Sequence, residues 1–245
     1  MIEAKRLGRS FGPQWALREA DFQCPPGAFV AVLGRNGAGK TTFIRLLTGQ
    51  LRPTEGSIHI QGLDVSARPR ALRSLMGVMP ETEALMDALS AHHYLHFVGR
   101  LHGLAPAQAD ERIQTLQELL EIDFQTSKPI SDFSFGMKKR TALAAALIHN
   151  PRVLFLDEPF EGLDPITCRT LELFLARLRQ GGLTLVMTSH LLDRSQSLCE
   201  RFLVLDQGRI RADRRREEIL EDHPDLETWF LDLASAQPGG GLPWT

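Results

Sequence analysis

The sequence predicts an α/β protein built on a largely parallel sheet, with antiparallel strands to one side and a helical subdomain inserted in the middle. Three observations predict it. Short apolar runs alternate with helical patterns along the chain. The clearest of those runs are apolar nearly throughout, as expected of strands covered on both faces. The stretch from about residue 82 to residue 150 reads instead as three successive helices.

The elements follow in order. Ile2–Leu7 suits a half-exposed strand. Ala28–Gly34 (AFVAVLG) is the first doubly covered strand, and Phe43–Leu47 looks like the helix after it. Ser57–Gly62 (SIHIQG) alternates, which suits an antiparallel strand. Ala91–Gly103 is helix-like and stops near its glycine. Pro106 is well placed at a helix start, and Ile113, Leu116, Leu119 and Leu120 then form one apolar stripe. A third helical run, Met137–Asn150, stops at Asn150-Pro151. Arg152–Asp157, Leu183–Ser189 and Arg201–Asp206 are further covered strands, the last returning through Gln207-Gly208 as a hairpin. The charge run Asp213–Glu218 reads as a solvated, self-paired helix face. Residues 1–235 form the expected domain, and 236–245, with Pro238 and three glycines, a flexible tail.

Composition narrows the class. Of 245 residues, 43% are hydrophobic and 24% charged, which excludes an extended disordered chain or a fibrous repeat. Lys+Arg number 28 and Asp+Glu 30, so the net charge of −2 does not suit a general nucleic-acid binder, and no nucleic-acid partner is expected. Cys24, Cys168 and Cys199 are far apart and odd in number, which fits a reducing compartment. No signal-peptide run and no membrane-length apolar stretch is seen, so any membrane role is expected to run through another polypeptide.

The sharpest motif is Gly34-Arg35-Asn36-Gly37-Ala38-Gly39-Lys40-Thr41-Thr42, a full match to G-x-x-x-x-G-K-[ST] between a strand and a helix. Glycines let the backbone curl so that successive N–H groups face phosphate oxygens. The helix N-terminus adds positive potential. Lys40 supplies a point charge for the β- and γ-phosphates, and Thr41 a hydroxyl for Mg²⁺. A second signal is the abrupt acidic end of an apolar strand, Asp157-Glu158-Pro159. Alone it reads equally well as an acidic turn. Beside a complete phosphate loop, Asp157 is expected to face Mg²⁺ and Glu158 to accept a proton from the attacking water.

Together with these motifs, Asp132-Phe133-Ser134-Phe135-Gly136-Met137-Lys138-Lys139-Arg140 resembles the signature of the ATP-binding subunits of ABC transporters. Glu161–Pro165 is similar to the family's D-loop, and Thr188-Ser189-His190 to its switch histidine. The resemblance implies a P-loop NTPase fold of the ABC-cassette type: a RecA-like core, an antiparallel β subdomain and the inserted helical subdomain. It implies an ATPase using ATP and Mg²⁺. Lys40, Glu158 and His190 carry the chemistry. Phe11, Gly34, Asn36, Gly37, Ala38, Gly39, Lys40, Thr41, Thr42, Ser134, Gly136 and Asp164 contact the nucleotide, with Phe11 stacking on adenine. Thr41, Asp157 and Glu81 face the metal. Ser134 and Gly136 act on the nucleotide of a second ATP-binding subunit, although Ser134 also suits a plain helix cap. Glu81 stands where the family usually has glutamine and reads also as a simple loop acid. Phe135 replaces the first signature glycine and Met137 the last glutamine. This form is closer to the variant of ABC-2-type exporters.

The implied partner is a transmembrane permease subunit, met by the helical segment around residues 82–100 at the cytoplasmic face of the inner membrane. An ABC-type ATPase with a regulatory or assembly role is the alternative. The segment between Thr42 and Asp132 is too short for the long coiled coil of the DNA-repair branch. His92 and His96, spaced i, i+4, could share a metal on one helix face, but no third ligand is apparent, so they read as a surface or partner-facing helix.

Overall fold

The computed structural model describes residues 1–67, 69–80 and 85–235. The chain opens with a long antiparallel pair, β1 (Ile2–Phe11) and β2 (Gln14–Cys24), and then enters β3 (Phe29–Leu33). Helix α1 (Lys40–Leu47) follows, then β4 (Glu55–Ile60), β5 (Leu63–Asp64), α2 (Pro69–Arg73) and β6 (Met76–Met79). Three helices come next: α3 (Ala91–Leu101), α4 (Pro106–Leu120) and α5 (Phe135–Leu147). The remainder is β7 (Val153–Asp157), α6 (Pro165–Gln180), β8 (Thr184–Ser189), α7 (Leu192–Leu198), β9 (Arg201–Asp206), β10 (Arg209–Arg215), α8 (Arg216–Asp222) and α9 (Leu226–Ser235).

Two sheets result. One is antiparallel with strand order β2-β1-β4-β5. The other has the order β10-β9-β3-β8-β7-β6 and is parallel except for β10. The apolar strands are covered on both faces because each feeds two cores. Along β3, Phe29, Ala31 and Leu33 point into the core shared with the three-helix segment, α6 and α9. Val30 and Val32 point the other way, toward α1 and the antiparallel sheet. In β7 the same alternation separates Leu154 and Leu156 from Val153 and Phe155. Two-sided burial leaves no room for polar residues, which is why these strands are the easiest to read.

Several expectations change in detail. β2 and the short β6 are additional strands, and the latter joins the parallel sheet beside β7. Gly77 of β6 permits this: a Cβ there would lie 2.1 Å from the Ala146 carbonyl oxygen, so α5 sits directly on the strand. The buried stripe of α4 is Ala109, Ile113, Leu116 and Leu120, while Leu119 is exposed at its edge. The charge run from Asp213 is not one helix face. It spans the end of β10 and the start of α8, and Asp213 pairs with Arg201 of β9 at 2.6 Å. The expected tail at 236–245 lies outside the described residues. No helix of the described residues is long and apolar enough to cross a membrane.

His149, just after α5, stacks on His102 with ring centroids 3.8 Å apart, and its Nε2–H donates to the Met76 carbonyl at 2.9 Å. Burial first, then the neighbouring His102, hold His149 down to about 4. The native ring therefore stays neutral where an unfolded-chain histidine, near 6.5, takes a proton. Below that value the unfolded state binds more protons, so stability falls as pH falls toward 4. The expected loss from this group is on the order of 2 kcal/mol between pH 7 and pH 4.5. Urea unfolding of wild type and His149→Gln at both pH values checks it: the variant should show the shallower pH dependence, and parallel curves would remove His149 as the cause.

Candidate functional site

β3 delivers the chain to Gly34, and the loop curls back into α1 through Gly37 and Gly39, whose φ angles are +82° and +106°. The turn closes with the Ala38 N–H donating to the Arg35 carbonyl at 3.1 Å and the Gly208 N–H to the Ala38 carbonyl at 3.1 Å. Above it lies an open cavity of about 610 Å³. Asn36, Gly37, Gly39, Lys40, Thr41, Thr42 and Glu158 line it, together with Trp15, Arg35, Gln207 and others. Gly34 and Ala38 are buried in the support of the loop.

Lys40 and Glu158 meet at the floor. The Lys40 ammonium donates to the Gly34 carbonyl at 2.7 Å and lies 3.4 Å from Glu158 Oε1. Both side chains are only 8% exposed. An ion pair this dry carries a desolvation penalty, so further polar partners are needed to hold it. His190 provides one: its Nδ1 lies 3.0 Å from Glu158 Oε2, and its backbone N–H donates to the same oxygen at 3.3 Å. An ionised carboxylate can only accept, so Nδ1 carries the proton. With that proton engaged, Nε2 can donate only from the imidazolium, and a neutral ring must leave Glu158 before it can donate to a phosphate.

The end of β7 is held from the neighbouring strand. The Thr188 hydroxyl of β8 donates to Asp157 Oδ1, and the Glu158 N–H donates to Thr188 Oγ1 at 2.9 Å. Glu158 has φ +48°, a left-handed conformation costly for a residue with a Cβ and typical of functional sites. Lys139, 1% exposed on α5, donates to the Glu158 carbonyl at 2.7 Å. Asp157 is itself buried, 4% exposed.

Other expected residues lie apart from this cavity. Phe11 is half-exposed at the end of β1, with the Arg9 guanidinium 4.8 Å from its ring centre. Trp15, opposite Ser10 on β2, is the aromatic that lines the cavity. Ser134 is exposed and caps α5, accepting from the Met137 N–H at 3.3 Å. Gly136 packs against Thr167 and Leu163. Asp164 caps α6, accepting from the Ile166 and Thr167 amides at 3.0 Å each and from the Thr167 hydroxyl at 2.6 Å. That hydroxyl, then the Thr167 amide, hold its carboxyl below the usual range. Glu81 lies outside the described residues. Sequence reasoning missed Trp15, Lys139 and the bridging role of Thr188. The only available signal was an aromatic shortly after Phe11, and nothing local marks Lys139 as buried.

The sequence profile described as "ABC transporter" matches residues 17–161, more than half of the chain, including the phosphate loop, the signature and the acidic strand end. The chain belongs to the ABC transporter family. It is an ATP-binding subunit and an ATPase of that family. Among curated relatives, the Nod factor export ATP-binding protein I of Sinorhizobium fredii is 34% identical over 90% of this chain and 64% of its own length. A daunorubicin resistance ATP-binding protein of Streptomyces coeruleorubidus is 36% identical over 86% of this chain and 67% of its own. The chain thus spans about two thirds of the length of these relatives. Among solved structures, an ATP-binding subunit of an ABC transporter superposes with a TM-score of 0.88 at 27% identity, covering 96% of this chain and 99% of the other. That match is the ABC-cassette fold.

The loop glycines differ in what they tolerate. A Cβ on Gly39 would sit 2.5 Å from the Ala16 carbonyl oxygen, whereas nothing lies within 4 Å of one on Gly37. Gly37→Ala carries only left-handed strain, about 1–2 kcal/mol, and should weaken ATP binding by ~10-fold or less. Gly39→Ala must also displace backbone and should weaken it by at least ~100-fold. Nucleotide titrations of the two variants check this order, and equal losses would contradict the loop geometry.

Proposed function

We propose that this chain is the ATP-hydrolysing motor of an exporter whose membrane-spanning part is a separate subunit, and that two ATP-binding subunits close face to face over ATP. The observation that carries the reading is the buried contact of Lys40 with Glu158 at the floor of the loop cavity. A triphosphate entering the loop offers Lys40 a partner of greater charge than one carboxylate. The loop amides and the N-terminus of α1 favour the same anion. Once Lys40 turns to phosphate, Glu158 is left to accept a proton from the attacking water. His190, released from Glu158, donates to the γ-phosphate and reports its presence.

The Thr41 hydroxyl in the cavity lining and the buried Asp157 carboxylate at the end of β7 are hard oxygen donors of the kind that would hold Mg²⁺. A cation held by Thr41 and Asp157 would supply positive charge against a bound triphosphate. Phosphoryl transfer has a loose transition state, so the protein's part is positioning and charge stabilisation. Ser134 is an exposed helix cap and does not line its own cavity. This supports a role for Ser134 and Gly136 on the nucleotide of the opposite subunit, where the N-terminus of α5 adds positive potential. Asp164 sits beside them in the same contact. Phe11 lies outside the cavity lining, and its role is to stack on an adenine that extends past Trp15 to the exposed end of β1.

ATP drives closure because it binds the closed state better. A cleft of about 490 Å³, lined by Arg73, Leu85, Tyr94, Val98 and His102 among others, receives a cytoplasmic helix of the membrane subunit. The chain then sits peripherally on the cytoplasmic face of the inner membrane. Export is supported by the F-S-F-G-M-K-K-R form of the signature and by relatives named for export and drug resistance.

Glu158→Gln is the test. Losing a general base costs roughly 10²–10⁴ in rate. The variant should keep ATP binding, lose turnover by at least ~100-fold, and accumulate as an ATP-bound dimer in size-exclusion chromatography with light scattering. Turnover at the wild-type rate would remove Glu158 from its assigned role.

A further inference from the structure

We propose that His92, His96 and Asp110 form a binding site for a first-row transition-metal ion of the Zn²⁺ or Ni²⁺ class, which staples α3 to α4 on the surface of the helical segment. The site is separate from the nucleotide cavity and shares no residue with it.

Helix geometry brings the two histidines together. Positions i and i+4 lie one above the other on one helix face. Ser90 caps α3 and orders its first turn, accepting from the His93 N–H. His93 is engaged separately, with its Nδ1 2.8 Å from Ser90 Oγ. The third ligand is invisible at the level of sequence spacing because it comes from the next helix. The chain reverses after α3, and the first turns of α4 bring Asp110 beside the two rings. Asp110 Oδ1 lies 3.3 Å from His92 Nε2 and 2.7 Å from His96 Nε2. All three donor atoms fall within 4.8 Å of one another.

These separations suit a metal. Zn–N and Zn–O bonds of about 2.0–2.2 Å in tetrahedral geometry put neighbouring donor atoms roughly 3.3 Å apart. The His92–Asp110 distance already has that value, and the widest separation, up to 4.8 Å, would close by side-chain rotation. Two imidazoles and a carboxylate are a set for Zn²⁺, Ni²⁺ or Co²⁺, whereas Mg²⁺ and Ca²⁺ prefer oxygen alone. The side chains are 27%, 22% and 58% exposed, so an ion can enter from solvent, and the outward coordination positions stay open for water. A hydrogen bond needs only one ring against the carboxylate. Here both rings face one carboxylate oxygen through Nε2, so a cation that replaced those ring protons would meet three donor atoms at once.

Competing thiols are poor ligands. Cys24, Cys168 and Cys199 are buried, and burial pushes the Cys24 thiol up to about 12. They are also too scattered in sequence to act together. The ion's structural effect follows from where it sits. α3 buries Ala91, Leu95 and Gly99, the last against Ala109 of α4, and its other flank lines the cleft with Tyr94 and Val98. Fixing α3 to α4 stiffens one wall of that cleft.

The experiment titrates the nucleotide-free chain with ZnCl₂, and separately with NiCl₂, by calorimetry and thermal unfolding. The expected result is one saturable site per chain and a Tm raised by about 5 °C or more at hundredfold excess over Kd. His96→Ala and Asp110→Ala should each lower affinity at least ~10-fold and remove most of the shift. MgCl₂ should leave Tm unmoved in the His92→Ala/His96→Ala variant and wild type alike. A readout independent of folding is the Co²⁺-loaded wild-type spectrum, expected to show visible bands of nitrogen and oxygen ligation without thiolate charge transfer. Equal Zn²⁺ binding by wild type and the double-histidine variant would overturn the proposal, as would thiolate bands or no saturable binding.

Discussion

The arrangement turns on a single buried contact, the Lys40 ammonium against the Glu158 carboxylate. Removing two such charges from water costs several kcal/mol per ion unless the pair is well matched by further hydrogen bonds. The fold supplies these from four directions. The Gly34 carbonyl holds Lys40, His190 holds the second Glu158 oxygen, Thr188 holds the peptide between the two acids, and Lys139 holds the Glu158 carbonyl. These groups come from the end of β3, from β8 and the residue after it, and from α5, and they close around Lys40 and the end of β7. They converge because β8 lies between β3 and β7, and all three strands end on the same edge. A parallel sheet collects its ligands at that edge.

Lys139 gives the contact reach beyond the sheet. It ties the acidic strand end to the helix that begins at Ser134, so that helix and the loop cavity share one set of buried contacts. Gly77 reinforces the link by letting the backbone of α5 rest on β6. The unusual Phe135 is accommodated in the same region. Its ring lies where a side chain at Gly162 would be, 2.6 Å from the position of a Cβ, and Lys139 sits 5.4 Å from the ring centre. A bulky aromatic in place of a glycine is thus matched by a glycine on the loop it touches.

Legibility in the sequence followed the physics of burial. β3, β7, β8 and β9 announced themselves because both faces are dry, and the phosphate loop because only glycines at fixed places can make its turn. β2 was less visible, with charged residues Arg18, Glu19 and Asp21 interrupting it and only one face packed. β6 is four residues long and depends on Gly77, a residue that ordinarily weakens a strand. Lys139 stands in a basic run that reads as solvent-facing, and only its position under Glu158 reveals it as buried. Leu119 fits a helical stripe on paper but falls one position past the packed face. Asp110 as a companion to His92 and His96 depends on a helix reversal that no local spacing encodes. In each case the missing information was a contact between distant segments.

The most direct measurement of the central claim is a structure of the chain with magnesium and a non-cleavable ATP analogue. The account predicts that Lys40 leaves Glu158 for the phosphates, that His190 donates to the terminal phosphate, and that Ser134 of a second copy touches it from across the interface. A triphosphate bound with the Lys40–Glu158 pair intact, or a terminal phosphate open to solvent with no second copy against it, would contradict the account.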